Sequence, residues 1–149
     1  MSQPFKLSLA VQYASQSGSL PTRPQFRRWV RAAMQQDLHC TLRVVDESEG
    51  QQLNHDYRGK DYATNVLTFV YDDTSPLSGD IVFCAQVVER EAAEQGKQTL
   101  AHYAHLTVHG VLHLQGYDHE NEADASRMEA LETALMLKLG YPAPYVVNN

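Results

Sequence analysis

The stretch that decides the fold is His109-Gly-Val-Leu-His113-Leu-Gln-Gly116-Tyr-Asp-His119. If a helix ends within it, the imidazoles of His109 and His113 project from one face, because residues four apart lie one above the other. Gly116 then ends the helix, since glycine accepts the left-handed backbone that commonly closes one. Past that turn, His119 can approach as a third ligand. Three nitrogens with one open position describe a catalytic zinc site rather than a structural one.

The spacing of these histidines and of the glycine equals the metzincin protease pattern His-Glu-x-x-His-x-x-Gly-x-x-His. Gly110 stands where those peptidases carry the glutamate that deprotonates the zinc water. Peptide hydrolysis needs that base. The pattern therefore predicts a metal site but disfavours a protease. The alternative is a histidine-rich amphipathic helix without a metal. His105, one turn before His109, is either a ligand or a partner behind the ligands.

Working outward from this helix, the apolar periodicity predicts four strands and four further helices. Alternating residues indicate strands over 5–13, 39–46, 65–71 and 79–85. Helical spacing indicates helices over 24–36, around 53–57, over 87–96, over 98–115 and over 121–139. Asp46 or Ser48 can cap the second helix. The order β-α-β-α-β-β-α-α-α implies an α+β fold, a small mixed sheet of about four strands packed with about five helices.

Length and cysteine usage set further expectations. The 149 residues fit a single domain over 1–149, with a poorly ordered tail over 143–149. Cys40 and Cys84 each fall in a predicted strand without CxxC spacing, which favours small buried thiols. No run of 18 apolar residues and no signal-peptide core occurs, so we expect a soluble, cytoplasmic protein without a membrane segment.

Charge argues against a protein that holds nucleic acid by its overall field, because 12 basic and 18 acidic residues leave a formal net charge of −6. Local clusters of basic residues can still bind phosphates despite this overall charge. Arg27 and Arg31 belong to an arginine-rich helix face that is either solvated or in contact with phosphates. Arg58 and Lys60 lie in a polar Tyr-Arg-Gly-Lys-Asp run between a helix and a strand, where loops carry sites. Arg58 is either a surface arginine or a functional partner of the metal.

A phosphodiester suits such a site. A bound ion lowers the pKa of water to near 7 and acts as a Lewis acid on an oxygen. Much of the catalysis then comes from charge neutralisation by the metal and a guanidinium. Asp118, beside the third histidine, either accepts the N–H of a ligating imidazole or serves as a turn residue or cap for the last helix.

Several segments resemble the YbeY family of bacterial endoribonucleases and ribosomal RNA maturation factors. The match is carried by the stretch 109–119, by the blocks 53–61 and 63–69, and by Gly79-Asp-Ile-Val82, which together cover most of residues 50–139 in the family's order. Asn65 replaces the family's usual aspartate, and Ala63 its usual proline. The N-terminal 45 residues match in pattern only.

The resemblance implies one Zn²⁺ ion per chain held by His109, His113 and His119, on a helix similar to that of zinc peptidases. Arg58 would be the functional arginine in the same cleft. The implied activity is metal-dependent cleavage of single-stranded RNA, in maturation of ribosomal RNA, especially the 3′ end of the small-subunit RNA, and in ribosome quality control. Ribosomal or ribosome-assembly proteins would be partners. The alternatives are a non-catalytic assembly factor with a structural metal and, less favoured, a metalloprotease-like hydrolase.

Overall fold

A computed structural model describes residues 5–72, 74–118 and 121–145, and within them four strands and five helices follow the predicted order. The strands are β1 (Leu7–Ala14), β2 (Leu38–Val45), β3 (Val66–Asp72) and β4 (Leu77–Cys84). The helices are α1 (Arg23–Ala33), α2 (Glu47–Arg58), α3 (Ala85–Glu94), α4 (Thr99–Leu114) and α5 (Glu122–Lys138). The predicted α+β fold is confirmed. None of the helices in these ranges is long and apolar enough to span a bilayer.

The strands form one mixed sheet in the order β1-β2-β4-β3. β1 and β4 run parallel to β2, whereas β3 pairs antiparallel with β4 and lies at the edge. Because side chains alternate along a strand, Leu42 of β2 joins the main core while Val45 joins a smaller cluster with Leu67 and Val82. Leu53 of α2 packs on the smaller cluster. The other sheet face carries α1 and α4.

Helix α4 is held by an aromatic core. Phe26 and Trp29 of α1, Phe83 of β4 and Tyr103 of α4 are all fully buried. Phe26 lies 5.6 Å from Phe83 and 6.2 Å from Tyr103, measured between ring centroids. Burying each such ring stabilises the fold by about 2 kcal/mol. Apolar packing therefore contributes strongly to the position of the helix.

Both cysteines are buried free thiols, as the sequence predicts. Burial raises the pKa of the Cys40 thiol to about 12, with a smaller contribution from the charge of Asp80. Burial also raises the pKa of Cys84. Thiolate chemistry at either position is therefore suppressed, because the thiolate and not the thiol is the nucleophile.

The start of α2 differs from the prediction. The helix begins at Glu47 and is 12 residues long, whereas the sequence indicated a short helix around 53–57. Asp46 occupies the N-cap position, but its side chain makes no cap hydrogen bond in the described structure. Its carboxylate instead accepts hydrogen bonds from Ser15 Oγ at 2.5 Å and Gln86 Nε2 at 2.8 Å. The predicted side-chain cap is wrong because tertiary donors occupy that carboxylate.

The first part of the expected tail docks on the helices. Lys97 Nζ donates to the Pro144 carbonyl at 3.1 Å, and the Tyr145 hydroxyl donates to Glu132 at 2.7 Å. Residues 144 and 145 thus contact α5 and the segment between α3 and α4. Residues 146–149 lie outside the described residues.

Candidate metal centre

The C-terminal half of α4 presents two histidines side by side. The rings of His109 and His113 are nearly parallel, at an interplanar angle of 13°, with centroids 6.0 Å apart. The helix ends as predicted at Gly116, whose φ is 99°, and the Tyr117 N–H donates to the Leu112 carbonyl at 3.1 Å. His119, the third predicted ligand, lies outside the described residues. Within those residues no group of three or more His, Cys, Asp or Glu side chains is arranged to hold a metal ion.

Hydrogen bonds at Nδ1 orient both rings. His109 Nδ1 donates to the Glu132 carboxylate at 3.1 Å, and His113 Nδ1 donates to the Tyr117 carbonyl at 3.0 Å. A neutral imidazole that carries its proton on Nδ1 has its lone pair on Nε2, and metal-ligating histidines commonly show this arrangement. The two side chains thus fit a metal ion that they would bind through Nε2.

Glu132 of α5 is a buried carboxylate beside the histidines, and the sequence-based prediction did not include it. Its side chain is fully buried, and it accepts hydrogen bonds from His105 Nε2 at 2.5 Å, from His109 Nδ1 and from the Tyr145 hydroxyl. Burial is the largest single influence and acts to raise the pKa of this carboxyl, but the hydrogen bonds from His105, His109 and Tyr145 and the charge of His109 together outweigh it and lower the pKa to about 2. Burial and the neighbouring Glu132 raise the pKa of Tyr145. Glu132 is therefore a fixed anion behind His109.

A signal for Glu132 was present in the sequence. Met128 and Met136 lie four residues before and after it, and both are buried. A carboxylate in the middle of an apolar helix face is costly unless it is paired, so it marks a partner on a neighbouring element. His105, placed by the sequence either among or behind the ligands, contacts this carboxylate.

Gly110 packs against the sheet. A Cβ atom built on Gly110 would lie 3.0 Å from Ile81 Cδ1 and 3.1 Å from Ile81 Cγ2. A side chain added at this position would therefore point at β4, where Ile81 leaves no room for a carboxylate. The structure gives a packing reason for the glycine that stands where metzincins carry their glutamate.

Introducing that glutamate tests this interpretation. We expect Gly110→Glu to lower the free energy of unfolding by about 3 kcal/mol or more, because it forces an unpaired carboxylate against Ile81. It should confer no peptidase activity. Gly110→Ala is the matched control, since it adds the methyl group without the charge and should cost much less. Urea unfolding and a peptide-cleavage assay measure both effects. A stable Gly110→Glu protein would contradict the packing account.

Arg58 shares a cavity with the histidine pair. It is the last residue of α2, and its side chain is exposed. The cavity has a volume of about 550 Å³ and runs around the edge of β3. It is lined by Tyr57, Arg58, residues 64–69, His109 and His113. The structure thus brings together Arg58 and two of the three predicted ligands from segments that are about 50 residues apart in the chain.

Asn65, at one wall of this cavity, is linked to a carboxylate. Its side-chain Nδ2 donates to Glu91 Oε1 at 3.0 Å, and its Oδ1 accepts from the Val66 N–H at 2.7 Å. His102 Nε2 contacts the same Glu91 oxygen at 2.9 Å, and burial lowers the pKa of His102 although Glu91 opposes this. Where the family usually has an aspartate at position 65, this chain has the carboxylate of α3 alongside.

The remaining predicted residues lie elsewhere. Asp118 lines a separate cavity of about 290 Å³ with Gln115, Asp124 and other residues. Arg27 lies beside β1, and Arg31 Nη1 donates to the Phe5 carbonyl at 3.4 Å. Lys60 is exposed, two residues after α2. Arg27, Arg31 and Lys60 are not among the described residues that line the histidine cavity.

Comparison with known proteins identifies the family of the chain. The family model described as Endoribonuclease YbeY matches residues 13–140. A Methylobacillus flagellatus protein named Endoribonuclease YbeY is 59% identical over 140 residues, which is 94% of either chain. A Nitrosomonas europaea protein of the same name is 56% identical over 144 residues, covering 97% of this chain and 88% of that one. The match includes α1 and at least part of β1, for which the sequence motifs gave no support for the family.

A solved structure is also similar. The solution structure of a Thermotoga maritima protein matches with a TM-score of 0.57 and 25% sequence identity, over 89% of this chain and 91% of that chain. The two proteins therefore share the overall α+β architecture.

Proposed function

The chain belongs to the YbeY family of endoribonucleases, and from this premise we propose that His109, His113 and His119 hold one Zn²⁺ ion beside Arg58 to cleave single-stranded RNA. The observation that carries the proposal is the cavity that joins Arg58 to the histidine pair. Both rings are oriented at Nδ1 by acceptors that suit metal ligation through Nε2. When bound, the ion supplies positive charge at the phosphate and activates a water molecule.

The residues of the chain have separate tasks in this proposal. Glu132 orients His109 and increases its basicity, and the Tyr117 carbonyl orients His113. The guanidinium of Arg58 binds the phosphate and neutralises charge that develops there. Gly110 leaves its position without a carboxylate, so no general base comes from that position of α4.

A catalytic metal is favoured over a structural one. The aromatic core holds α4, and a backbone hydrogen bond closes its end at Gly116. Apolar packing and backbone hydrogen bonds thus support the helix that carries the two described ligands. A protein that needs its metal only for chemistry should remain folded when the metal is removed.

In the cell we propose ribosomal RNA as the substrate, at the 3′ end of the small-subunit RNA and in ribosome quality control. The family membership supports this assignment. The net charge of −6 provides little general attraction for RNA, so ribosomal or ribosome-assembly proteins would help to present it in the cytoplasm. Lys60 would extend the basic surface beside Arg58. Arg27 is exposed beside β1, whereas Arg31 is half-buried and donates to the Phe5 carbonyl, so an RNA contact is less favoured for both than for Arg58.

The proposal is tested with a labelled RNA oligonucleotide, alone and annealed to its complement. The purified protein with one equivalent of Zn²⁺ should cleave the single strand and leave the duplex intact. Cleavage of both at equal rates would contradict single-strand specificity, and cleavage of neither would contradict the proposed substrate. A deoxyribonucleotide strand of the same sequence serves as the control for RNA specificity.

The role of Glu132 gives a separate prediction. Replacing Glu132 by glutamine keeps the side-chain size and removes the charge. We expect the affinity for Zn²⁺ to fall by about 10- to 100-fold, because this is the usual loss when the hydrogen-bond partner of a ligating histidine is changed. Excess Zn²⁺ should then restore cleavage. Glu129→Gln is the matched control, because Glu129 is an exposed acid on the same helix. Competition with a chromogenic zinc chelator measures both affinities. Equal affinities in the two variants would show that Glu132 does not support the ligand.

A further inference from the structure

Exposed apolar side chains are concentrated in the part of the chain that also supplies one wall of the cavity. Six large ones are exposed in the described residues, and four of them fall between residues 57 and 71. They are Tyr57 at 67%, Tyr62 at 60%, Val70 at 50% and Tyr71 at 66% exposure. Apolar side chains that are exposed singly are ordinary, whereas an exposed ring that also lines a cavity is a candidate ligand contact.

Of these four exposed residues, Tyr57 lines the cavity. Its ring lies 5.1 Å from that of Phe69, centroid to centroid, at an interplanar angle of 66°. Phe69 is half-buried and packs on the cluster of Val45, Leu67 and Val82. Both rings line the cavity next to Arg58. Because Phe69 is anchored and Tyr57 is two-thirds exposed, an aromatic surface beside the guanidinium is open to a ligand.

We propose that Tyr57, supported by Phe69, stacks on an unpaired base of the RNA strand whose phosphate Arg58 binds. This inference rests on the proposed function and specifies how the substrate is held. An aromatic ring and an adjacent guanidinium match the two chemical parts of a nucleotide, a flat base and an anionic phosphate. The cavity of about 550 Å³ lies within the range of small-ligand sites and has room for a nucleotide.

Stacking also accounts for selectivity. In a duplex the base faces are stacked on their neighbours, whereas in a single strand they are available to an aromatic side chain. Every base has such a face, so the contact distinguishes single strands from duplexes without reading sequence. With a net charge of −6, the protein gains little from nonspecific attraction to phosphates. Stacking therefore carries a large share of the binding.

The experiment measures RNA binding with metal removed by chelation, so that cleavage cannot consume the ligand. Fluorescence anisotropy of a labelled single-stranded octanucleotide gives Kd. We expect Tyr57→Ala to raise Kd about tenfold, the usual size of one base–aromatic stack. Tyr57→Phe keeps the aromatic ring and removes only an exposed hydroxyl group, so its Kd should stay within about twofold of the wild-type value. Tyr62→Ala is the matched control, a tyrosine of similar exposure that does not line the cavity.

A second arm separates stacking from a structural role. Oligonucleotides with one abasic nucleotide at successive positions should include one that wild type binds about tenfold more weakly, and Tyr57→Ala should show little further loss on that ligand. The inference would be overturned if each abasic position weakened binding equally in wild type and in Tyr57→Ala. It would also be overturned if Tyr57→Ala bound the intact oligonucleotide with an unchanged Kd. Circular dichroism and thermal unfolding confirm that the variants are folded.

The outcomes also distinguish this inference from the proposed function. If the Zn²⁺-loaded wild type cleaves single-stranded RNA while Tyr57→Ala binds normally, only the stacking role fails. If binding depends on Tyr57 but the loaded wild type never cleaves RNA, the proposed chemistry fails and the stacking surface remains.

Discussion

Replacing His113 by alanine is expected to abolish both the bound metal and RNA cleavage. The substitution removes one of three proposed nitrogens, and the remaining pair cannot satisfy a tetrahedral zinc site. His113 is half-buried at the end of α4, where the Tyr117 carbonyl holds its ring. Metal analysis after dialysis and cleavage of labelled single-stranded RNA measure the two effects on the same sample.

The matched control is His39→Ala, which removes an exposed histidine of β2 that does not line the cavity. It should retain one ion per chain and wild-type cleavage. A His113→Ala protein that still holds one ion per chain and cleaves RNA at the wild-type rate would remove His113 from the proposed site.

Replacing Arg58 by alanine should separate metal binding from cleavage. We expect this variant to retain the ion and to lose cleavage by a factor of about 10²–10³, the usual cost of removing one group that stabilises developing charge. Arg58 lines the cavity from the end of α2, and His109 and His113 line it from α4. The ratio kcat/KM for labelled RNA gives the effect on cleavage, and metal analysis shows whether the ion is retained.

Arg58→Lys is the graded control. It keeps the positive charge but loses the planar fork that binds two phosphate oxygens, so it should recover only part of the lost rate. Wild-type cleavage by Arg58→Ala would contradict the assigned role, and so would loss of the metal from that variant.

The sequence predicted the elements whose signals are local. Period-2 alternation located the four strands, and helical spacing located α1, α4 and α5 near their observed bounds. The end of α4 was predictable because a positive φ at Gly116 is a local property of glycine. The start of α2 was missed because its buried positions include Gly50 and Asn54, which give little apolar periodicity.

The contacts behind the ligands were not predictable in the same way. Glu132 lies 23 residues after His109, and their contact depends on how α5 packs on α4. Asp46 was expected to cap a helix, but donors from two other segments occupy its carboxylate. Gly110 signalled the missing glutamate, whereas only the sheet shows that Ile81 fills the space. Local pattern thus identified candidate ligands, and tertiary packing determined what orients them.

The most direct test of a catalytic metal is reversible removal of that metal. The protein is treated with a chelator and dialysed, and metal analysis and circular dichroism are followed by cleavage of a labelled single-stranded RNA. We predict that the metal-free protein stays folded, does not cleave, and recovers full activity with about one equivalent of Zn²⁺ per chain, as a three-histidine catalytic site requires. Unfolding on metal loss would indicate a structural ion, and cleavage that survives verified metal loss would contradict the account.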